Sequence, residues 1–473
     1  MKHSWTKVVV VAAVLASLQG ASWHGAGAEP PDWLGGNAAI ARLAGRLPAV
    51  AADNALSPAE LRSHLLSDTS LRVDAHDRLL YVDPVRPMAA DGATSDTSWL
   101  DTPTPPLDGT TTFELHSKPG STKVIYLDFD GETISGTVWN SSTRGRACYT
   151  DPYNADGLAG FSTSELGSIY SIWKRVAEDY ASFDVDVTTQ NPGAAAITRS
   201  GSGDSSYGTR ALITNSTTKC SNRKTLYASV CSGGCGGVAY VGVFDQYGSG
   251  TTAHSYYQPA LIFQNGTGSG AKYVAEAVSH EVGHNVGLSH DGTSSVGYYE
   301  GHGSWAPIMG VGYYRAITQW SKGEYAGANN TQDDFVVIAA NGVAERADDQ
   351  QGPPTPLVAD TPVSGVISSR TDVDTFSVTA ATGQTITATP AATSPDLDIL
   401  LTLTPDTGTP VQNNPDSGFS TGDAATGMDA SITVATAGTY TVTVDGVGFG
   451  NPLSTGYSDY ASIGGYRITI TGG

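Results

Sequence analysis

The sequence predicts an α/β region through the middle of the chain, followed by an all-β sandwich. Three observations carry this. Between about 120 and 346, β-branched runs alternate with segments whose apolar residues recur at helical spacing. Beyond about 360, short Thr/Val/Ile-rich runs are separated by Gly, Pro and Asp, the pattern of a small antiparallel sandwich. Pro/Asp-rich stretches at 93–108 and 347–360 mark where one texture gives way to the next.

Taken in order, residues 1–28 read as a secretory signal. Lys2 and Lys7 supply the positive start, 8–18 a short apolar run, and Ala26-Gly27-Ala28 the small residues of a cleavage site. The run falls short of the roughly 20 apolar residues that spanning a bilayer needs. No later segment is long enough either, so the expectation is a secreted, extracellular protein without a membrane span. Residues 29–117 contain helix-like pieces at 38–47 and 57–66 and a strand-like piece at 78–82. Lying between a signal and a linker, they are expected to form a propeptide, with an ordinary domain as the alternative.

Residues 118–346 form the central region. Strands are expected at 123–129, 183–189, 210–214, 237–244 and 260–263. Helices are expected at 164–180, 273–288 and 333–344. After the linker at 347–360, strands are expected within 361–473 at 375–378, 385–388, 399–404, 431–434, 440–444 and 466–470.

Twenty-five basic against 46 acidic residues give a formal charge of −21, which speaks against nucleic acid or an anionic membrane as partner. Charged residues are only 15% of the chain, so the acidity does not signal disorder. Four cysteines (Cys148, Cys220, Cys231 and Cys235) in an exported chain suggest two disulfides, with three pairings open. A metal site on Cys231-x-x-x-Cys235 is the competing reading, but Ser-Gly-Gly between the two reads as a turn.

The chemistry lies in His280-Glu281-Val282-Gly283-His284-Asn285-Val286-Gly287-Leu288-Ser289-His290-Asp291. On a helix, His280 and His284 sit one turn apart on one face and can share an ion at about 2.0–2.1 Å. Glu281 is rotated off that face, beside the metal, where a general base is needed. Gly287 can adopt the left-handed conformation that ends a helix, so the chain can turn and return His290 as a third ligand. Three protein nitrogens leave the fourth tetrahedral position open, as in catalytic zinc sites. Coincidence on an amphipathic helix is the bland alternative, but His is only ten of 473 residues, so this spacing is hard to meet by chance.

His280 to His290 resembles the H-E-x-x-H-x-x-G-x-x-H motif of the metzincin zinc metalloproteases, and Asn285 and Asp291 resemble its adamalysin (reprolysin) branch. Ala306-Pro307-Ile308-Met309-Gly310, 19 residues after His290, resembles the family's methionine turn. The resemblance covers about 120–346 and implies an α+β catalytic domain with a mixed sheet and an active-site helix. It implies that Gly237-Val238-Ala239-Tyr240 is the edge strand that pairs with an extended substrate. It also implies that Gly287, Met309 and Asp291 support the site, Asp291 by a buried hydrogen bond. Where some members carry a tyrosine two residues after the turn methionine, this chain has Val311; Tyr313 and Tyr314 lie further on, and an oxyanion role for either is the weaker reading. His302 and Glu300 are read as loop residues and Glu276 as a surface or supporting residue. Many relatives block their zinc with a propeptide cysteine. Residues 29–117 contain none, and among Asp74, Asp77, Asp83 and His76 no substitute stands out.

The C-terminal region resembles the pre-peptidase C-terminal domains of secreted bacterial proteases through Asp372-Val373-Asp374-Thr375-Phe376, Asp396-Leu397-Asp398-Ile399-Leu400-Leu401 and Gly438-Thr439-Tyr440-Thr441-Val442. Such domains can bind Ca²⁺ or insoluble substrate, or be cut away after export. The paired aspartates suit Ca²⁺, though turn residues at strand ends are the plainer reading.

The expected function is a secreted, monomeric zinc endopeptidase acting on protein or peptide substrates. One Zn²⁺ is held by His280, His284 and His290, and Glu281 is the base for a metal-activated water. The alternative is a secreted adhesin or binding protein that uses the same fold as a scaffold; the intact Glu281 argues against it.

Overall fold

The computed structural model describes residues 33–85, 107–141, 145–215, 219–220, 225–231, 234–268, 270–392, 395–415 and 425–472. The expected signal at 1–28 and most of the 93–108 stretch lie outside the described residues.

A seven-stranded mixed sheet organises the first two-thirds of the chain. Its strands are β1 (Leu71–Val73), β2 (Leu79–Pro84), β3 (Lys123–Asp128), β4 (Asp186–Thr188), β5 (Tyr207–Thr214), β6 (Cys235–Tyr240) and β7 (Ala260–Phe263), in the order β1-β2-β6-β7-β5-β3-β4. The run β7-β5-β3-β4 is parallel; β6 is antiparallel to β7, β2 to β6 and β1 to β2. The near-continuous apolar sequences of β3, β5 and β7 suit parallel strands buried on both faces.

The N-terminal body packs α1 (Gly36–Leu43), α2 (Leu47–Asp53) and α3 (Pro58–Ser67) on β1 and β2. The single helix expected at 38–47 is split. Pro48 lacks the N–H that would continue a helix and instead sits in the first turn of α2. Leu43, Leu47, Leu61, Leu65, Leu71, Val73 and Leu79 make this body a core of its own. α3 starts at a capping box, Glu60 N–H donating to Ser57 Oγ at 3.2 Å and Ser57 N–H to Glu60 at 2.7 Å.

In the central region, α4 (Thr163–Asp179) and α5 (Ala271–Asn285) pack against each other and onto the sheet. α4 begins at a second capping box, Ser162 with Glu165. Ile169, Ile172 and Val176 of α4 meet Val274, Val278 and Val282 of α5 in one core with Ile125, Leu127, Ile213 and Ile262. Each such side chain contributes about 1.5–3 kcal/mol by leaving water. Tyr180 Oη–H donates to Ser279 O at 3.1 Å across the pair.

Several boundaries differ from expectation, and each has a local cause. The strand expected at 237–244 stops at Tyr240. Gly242 turns with φ +63°, and the N–H groups of Gly242, Val243 and Phe244 donate to His284 O and Asn285 O instead of extending the sheet. The helix expected at 273–288 ends at Asn285 because Gly287 takes φ +99°. The one expected at 333–344 is α6 (Asp334–Ala340), ended before Gly342 at φ +96°. Of 183–189 only β4 pairs in the sheet; Phe183 instead bridges Glu345. The stretch at 347–360 is not wholly a connector, since Thr355–Pro356 pairs in parallel with Val373–Ala380.

The β-rich C-terminal region forms two sheets. One is ordered Thr355–Pro356, Val373–Ala380, Gly438–Gly446, Ile399–Pro405, Val411–Asn413; the other Val363–Ile367, Gly464–Thr471, Thr385–Pro390, Ala430–Thr433. Strict alternation puts Phe376, Val378, Leu401, Leu403, Val442 and Val444 of the first against Ile386, Ile432, Ile468 and Ile470 of the second. This region abuts the centre. Tyr460 Oη–H donates to Asp333 Oδ1 at 2.8 Å and accepts from Phe335 N–H at 3.2 Å, and Trp305, Ile317 and Tyr325 share a buried cluster with Met428 and Tyr457. Among the described residues no helix is long and apolar enough to cross a membrane.

Candidate metal centre

Val274, Val278 and Val282 hold one face of α5 in the core, which orients His280, Glu281 and His284 toward β6 and the loop that follows the helix. Gly287 N–H donates to His284 O at 2.9 Å and Leu288 N–H to Gly283 O at 3.0 Å, the double bond of a helix closed by a left-handed residue. A side chain on Gly287 would also meet Asn341 Nδ2 at 2.3 Å. The turn brings His290 back, its ring centroid 5.0 Å from those of both His280 and His284, which are 4.8 Å apart.

Each ring is fixed through Nδ1. His280 Nδ1–H donates to Ile308 O and His284 Nδ1–H to Leu288 O, both at 2.8 Å; His290 Nδ1–H donates to Asp68 Oδ2 at 2.6 Å. This sets the tautomer and presents three Nε2 lone pairs to one point. All three Nε2 atoms are buried and without a hydrogen-bond partner, as are both carboxylate oxygens of Asp83. The Asp83 oxygens lie 3.1 Å from His280 Nε2, 3.7 Å from His284 Nε2 and 3.1 Å from His290 Nε2. A tetrahedron with legs of about 2.0–2.1 Å has edges near 3.3 Å, so the spacing is that of four ligands around one small ion. Among the described residues these four offer ligand atoms all within 4.8 Å of one another. Three imidazoles and one carboxylate are a donor set that suits zinc.

Glu281 stands beside this set. Its carboxyl is buried and lies against β6, where a β-carbon on Gly237 would meet Glu281 Oε1 at 1.8 Å. Burial, and then the Asp83 charge, push the Glu281 carboxyl well above the usual carboxylate range. Burial pulls His290 down, but Asp83 and Asp68 outweigh it and raise its affinity for a proton. His284 is lowered to about 4, chiefly by burial.

Met309 lies under the helix at Gly283, where a β-carbon would meet its Sδ at 2.5 Å, and it is fully buried. Met309→Ala should therefore lower stability by about 2–5 kcal/mol, the usual effect of a core cavity, measured by denaturant unfolding. Asp291 is buried; its N–H donates to Met309 O at 2.8 Å and its carbonyl accepts from Tyr299 N–H at 2.8 Å. Asn285 Nδ2–H donates to Tyr240 O at 2.9 Å and Oδ1 accepts from Thr209 at 2.6 Å, tying α5 to β6 and β5.

Gly237, Val238, Ala239 and Tyr240 lie in β6, but β6 is not an edge in this chain: β2 occupies its open side. Tyr313 and Tyr314 sit on a short turn, Gly312–Tyr314, against Tyr273. The tyrosines that face the imidazoles are others. Tyr298 stacks on His290 at 4.5 Å, and Tyr81 on His284 at 4.2 Å with His290 at 4.0 Å. Neither was legible in advance, because nothing local to a loop or a strand says which distant ring it will cover.

His302 is occupied elsewhere, Nδ1 with Tyr299 Oη at 2.8 Å and Nε2 with Gly456 O at 2.7 Å. Glu276 is half-buried rather than on the surface, bonded to Lys272 and Thr318. Asp74 accepts from His76 N–H and Arg78 N–H within its own turn, Asp77 pairs with Arg46, and His76 packs on Tyr256, so Asp83 is the one of the four that reaches the imidazoles. The cysteines form Cys148–Cys220 and Cys231–Cys235, which removes the Cys231/Cys235 metal site from consideration.

Farther off, Asp348, Asp372 and Asp374 gather at the margin of the C-terminal sheets, their oxygens within 4.8 Å of one another. Asp374 is fully buried and its Oδ1 has no partner. Asp398 is used instead in bonds from Tyr457 and Asn414.

Residues 171–291 match the model of the reprolysin-like metallopeptidases of family M12B. No curated protein sequence matches the chain. Similar solved structures include the pre-peptidase C-terminal domain of a collagenase from Bacillus anthracis (12% identity, 27% of this chain and 98% of that one, TM-score 0.17). They also include PliG, a periplasmic inhibitor of g-type lysozyme, from Salmonella Typhimurium (17% identity, 25% and 99%, TM-score 0.16) and from Aeromonas hydrophila (12% identity, 25% and 95%, TM-score 0.16). Over the segment that ends with the three histidines, this chain is similar to the reprolysin-like M12B metallopeptidases.

Proposed function

We propose that this chain is a secreted zinc endopeptidase that hydrolyses peptide bonds in proteins. The observation that carries the reading is the convergence of three unpartnered Nε2 atoms on one point, with Glu281 beside them and outside the ligand set. Bound at His280, His284 and His290, zinc would acidify water and polarise a carbonyl. The chain's own groups do the rest. The Nδ1 bonds keep the rings in place. With β2 displaced from its open side, the backbone of β6 would offer strand pairing to an extended substrate. Glu281, beside the imidazoles and outside the ligand set, takes the proton of the attacking water and returns it to the leaving amine. No observation favours a binding scaffold instead. The test is casein cleavage by the processed, exported form: a chelator should abolish it and one equivalent of Zn²⁺ restore it. Chelator-insensitive cleavage, or none at all, would refute the proposal.

For the C-terminal region we propose Ca²⁺ at Asp348, Asp372 and Asp374, oxygen donors that suit a hard cation. Calcium at a hundred times its dissociation constant stabilises by about 2.7 kcal/mol. The expected result is a thermal midpoint raised by several degrees in calcium for the wild type and unmoved in Asp374→Asn; equal shifts in both would remove the site.

A further inference from the structure

α4 carries two stripes at helical spacing. Ile169, Ile172 and Val176 face the core, while Tyr170, Trp173, Lys174 and Ala177 recur along an adjacent side. The second stripe is half-buried. It lines a cavity of about 300 Å³ at the seam with the C-terminal sheets, which contribute Val366, Ala391 and Gly465. Lys118, Phe183, Val185 and Arg346 supply more of the lining. None of these residues belongs to the metal centre.

The lining joins aromatic rings to cations. Trp173 is fixed by its Nε1–H, which donates to Val187 O at 2.8 Å, and Tyr170 lies 5.8 Å from it. Lys118 pairs with Asp184, and His116 with Asp186 at 2.6 Å, so these acids are already matched. Arg346 Nη1–H donates to Ala181 O at 3.1 Å, one of the fork of donors that a guanidinium carries. Among the described residues Glu178 is the acidic member of the lining. It is buried against Gly464, where a β-carbon would meet its Oε1 at 2.3 Å, and that oxygen has no hydrogen-bond partner. Burial pushes its carboxyl up to about 8, so near neutrality it is protonated and opposes no anion. In a chain of formal charge −21 the cavity is thus a local positive field on apolar walls.

We propose that this cavity binds a small carboxylate carrying an apolar body, the chemistry shared by an N-acylated aromatic amino acid and the last residue of a peptide. The carboxylate meets Lys174 and the fork of Arg346, which matches it in a bidentate pair. The apolar group covers Trp173 and Phe183. Ligand sites run from about 300 to 1,000 Å³, so this one takes a single residue or little more. Because its lining comes from both the central region and the C-terminal sheets, an occupant stabilises their docking by mass action. The site stands independently of the zinc reading.

The experiment titrates the full chain with N-acetylphenylalanine at neutral pH by calorimetry and follows thermal unfolding with and without it. The expected result is one site per chain with a dissociation constant at or below about 1 mM, and a raised unfolding midpoint. N-acetylphenylalaninamide, which lacks the charge, and inorganic phosphate, which lacks the ring, should each bind about tenfold more weakly or not at all. Arg346→Gln and Lys174→Gln should each weaken binding about fivefold or more. Ala177→Trp places a ring in the cavity and should abolish binding, with cooperative unfolding showing that the variant is folded; Arg346→Gln serves if it is not. A four-residue peptide ending in phenylalanine distinguishes the sources: tighter binding than the single residue assigns peptide ends, weaker binding assigns free acids, and either supports the site. No saturation in the wild type, equal binding of acid and amide, or undiminished binding in folded Ala177→Trp would each overturn the proposal.

Discussion

Glu281→Gln should end peptide hydrolysis while zinc stays bound. Glutamine matches glutamate in size, and Glu281 is not among the four residues whose ligand atoms converge, so the three Nδ1-anchored rings have no reason to move. An amide, however, cannot take a proton from water. General-base catalysis contributes about 10²–10⁴-fold, or about 2.7–5.4 kcal/mol at 1.36 kcal/mol per tenfold. The fall should appear in kcat and kcat/KM together, since the interaction exists only in the transition state. Measurement on the processed form, with zinc counted per chain, decides the matter. Full activity in this variant would rule out Glu281 as the base, and loss of zinc would mean that the carboxylate was a ligand after all.

Gly237→Ala should also silence the enzyme, from a residue with no chemistry of its own. The added carbon would stand 1.8 Å from Glu281 Oε1, and neither side yields easily. Gly237 pairs with Ile262 on one side and Asp83 on the other, and Glu281 is fixed to a helix buried in the core. Overpacking of this kind costs about 1–3 kcal/mol. A base displaced by about an ångström can cost on the order of 10²-fold in rate. The expected signature is a modestly lower unfolding midpoint, one zinc per chain and a kcat reduced about a hundredfold. A variant with wild-type kcat would show that the carboxyl does not work against this strand.

The sequence was legible where chemistry is local. The spacing of His280, Glu281, His284 and His290, and glycine at 287, report one helix and one turn, and the structure brings those residues together. Alternating Thr/Val runs announced most strands of the C-terminal sheets because their period of two is a property of each strand alone. What stayed hidden depends on distant partners. Asp68 and Asp83 are 222 and 207 residues before His290 in sequence, and nothing near them speaks of imidazoles. The stop at Tyr240 depends on carbonyls freed at the end of α5. The short strands Trp305–Pro307 and Ile317–Gln319 are too brief to show a period at all.

The seam at Tyr460, Met428 and Tyr457 bears on what removal of the C-terminal region would do. Cutting it away would strand Trp305 and Tyr325 in water and unseat the hydroxyl that braces the start of α6. The sandwich therefore buttresses the strands that flank the Met309 loop. Trimming there would leave a sticky aromatic scar close to the metal centre.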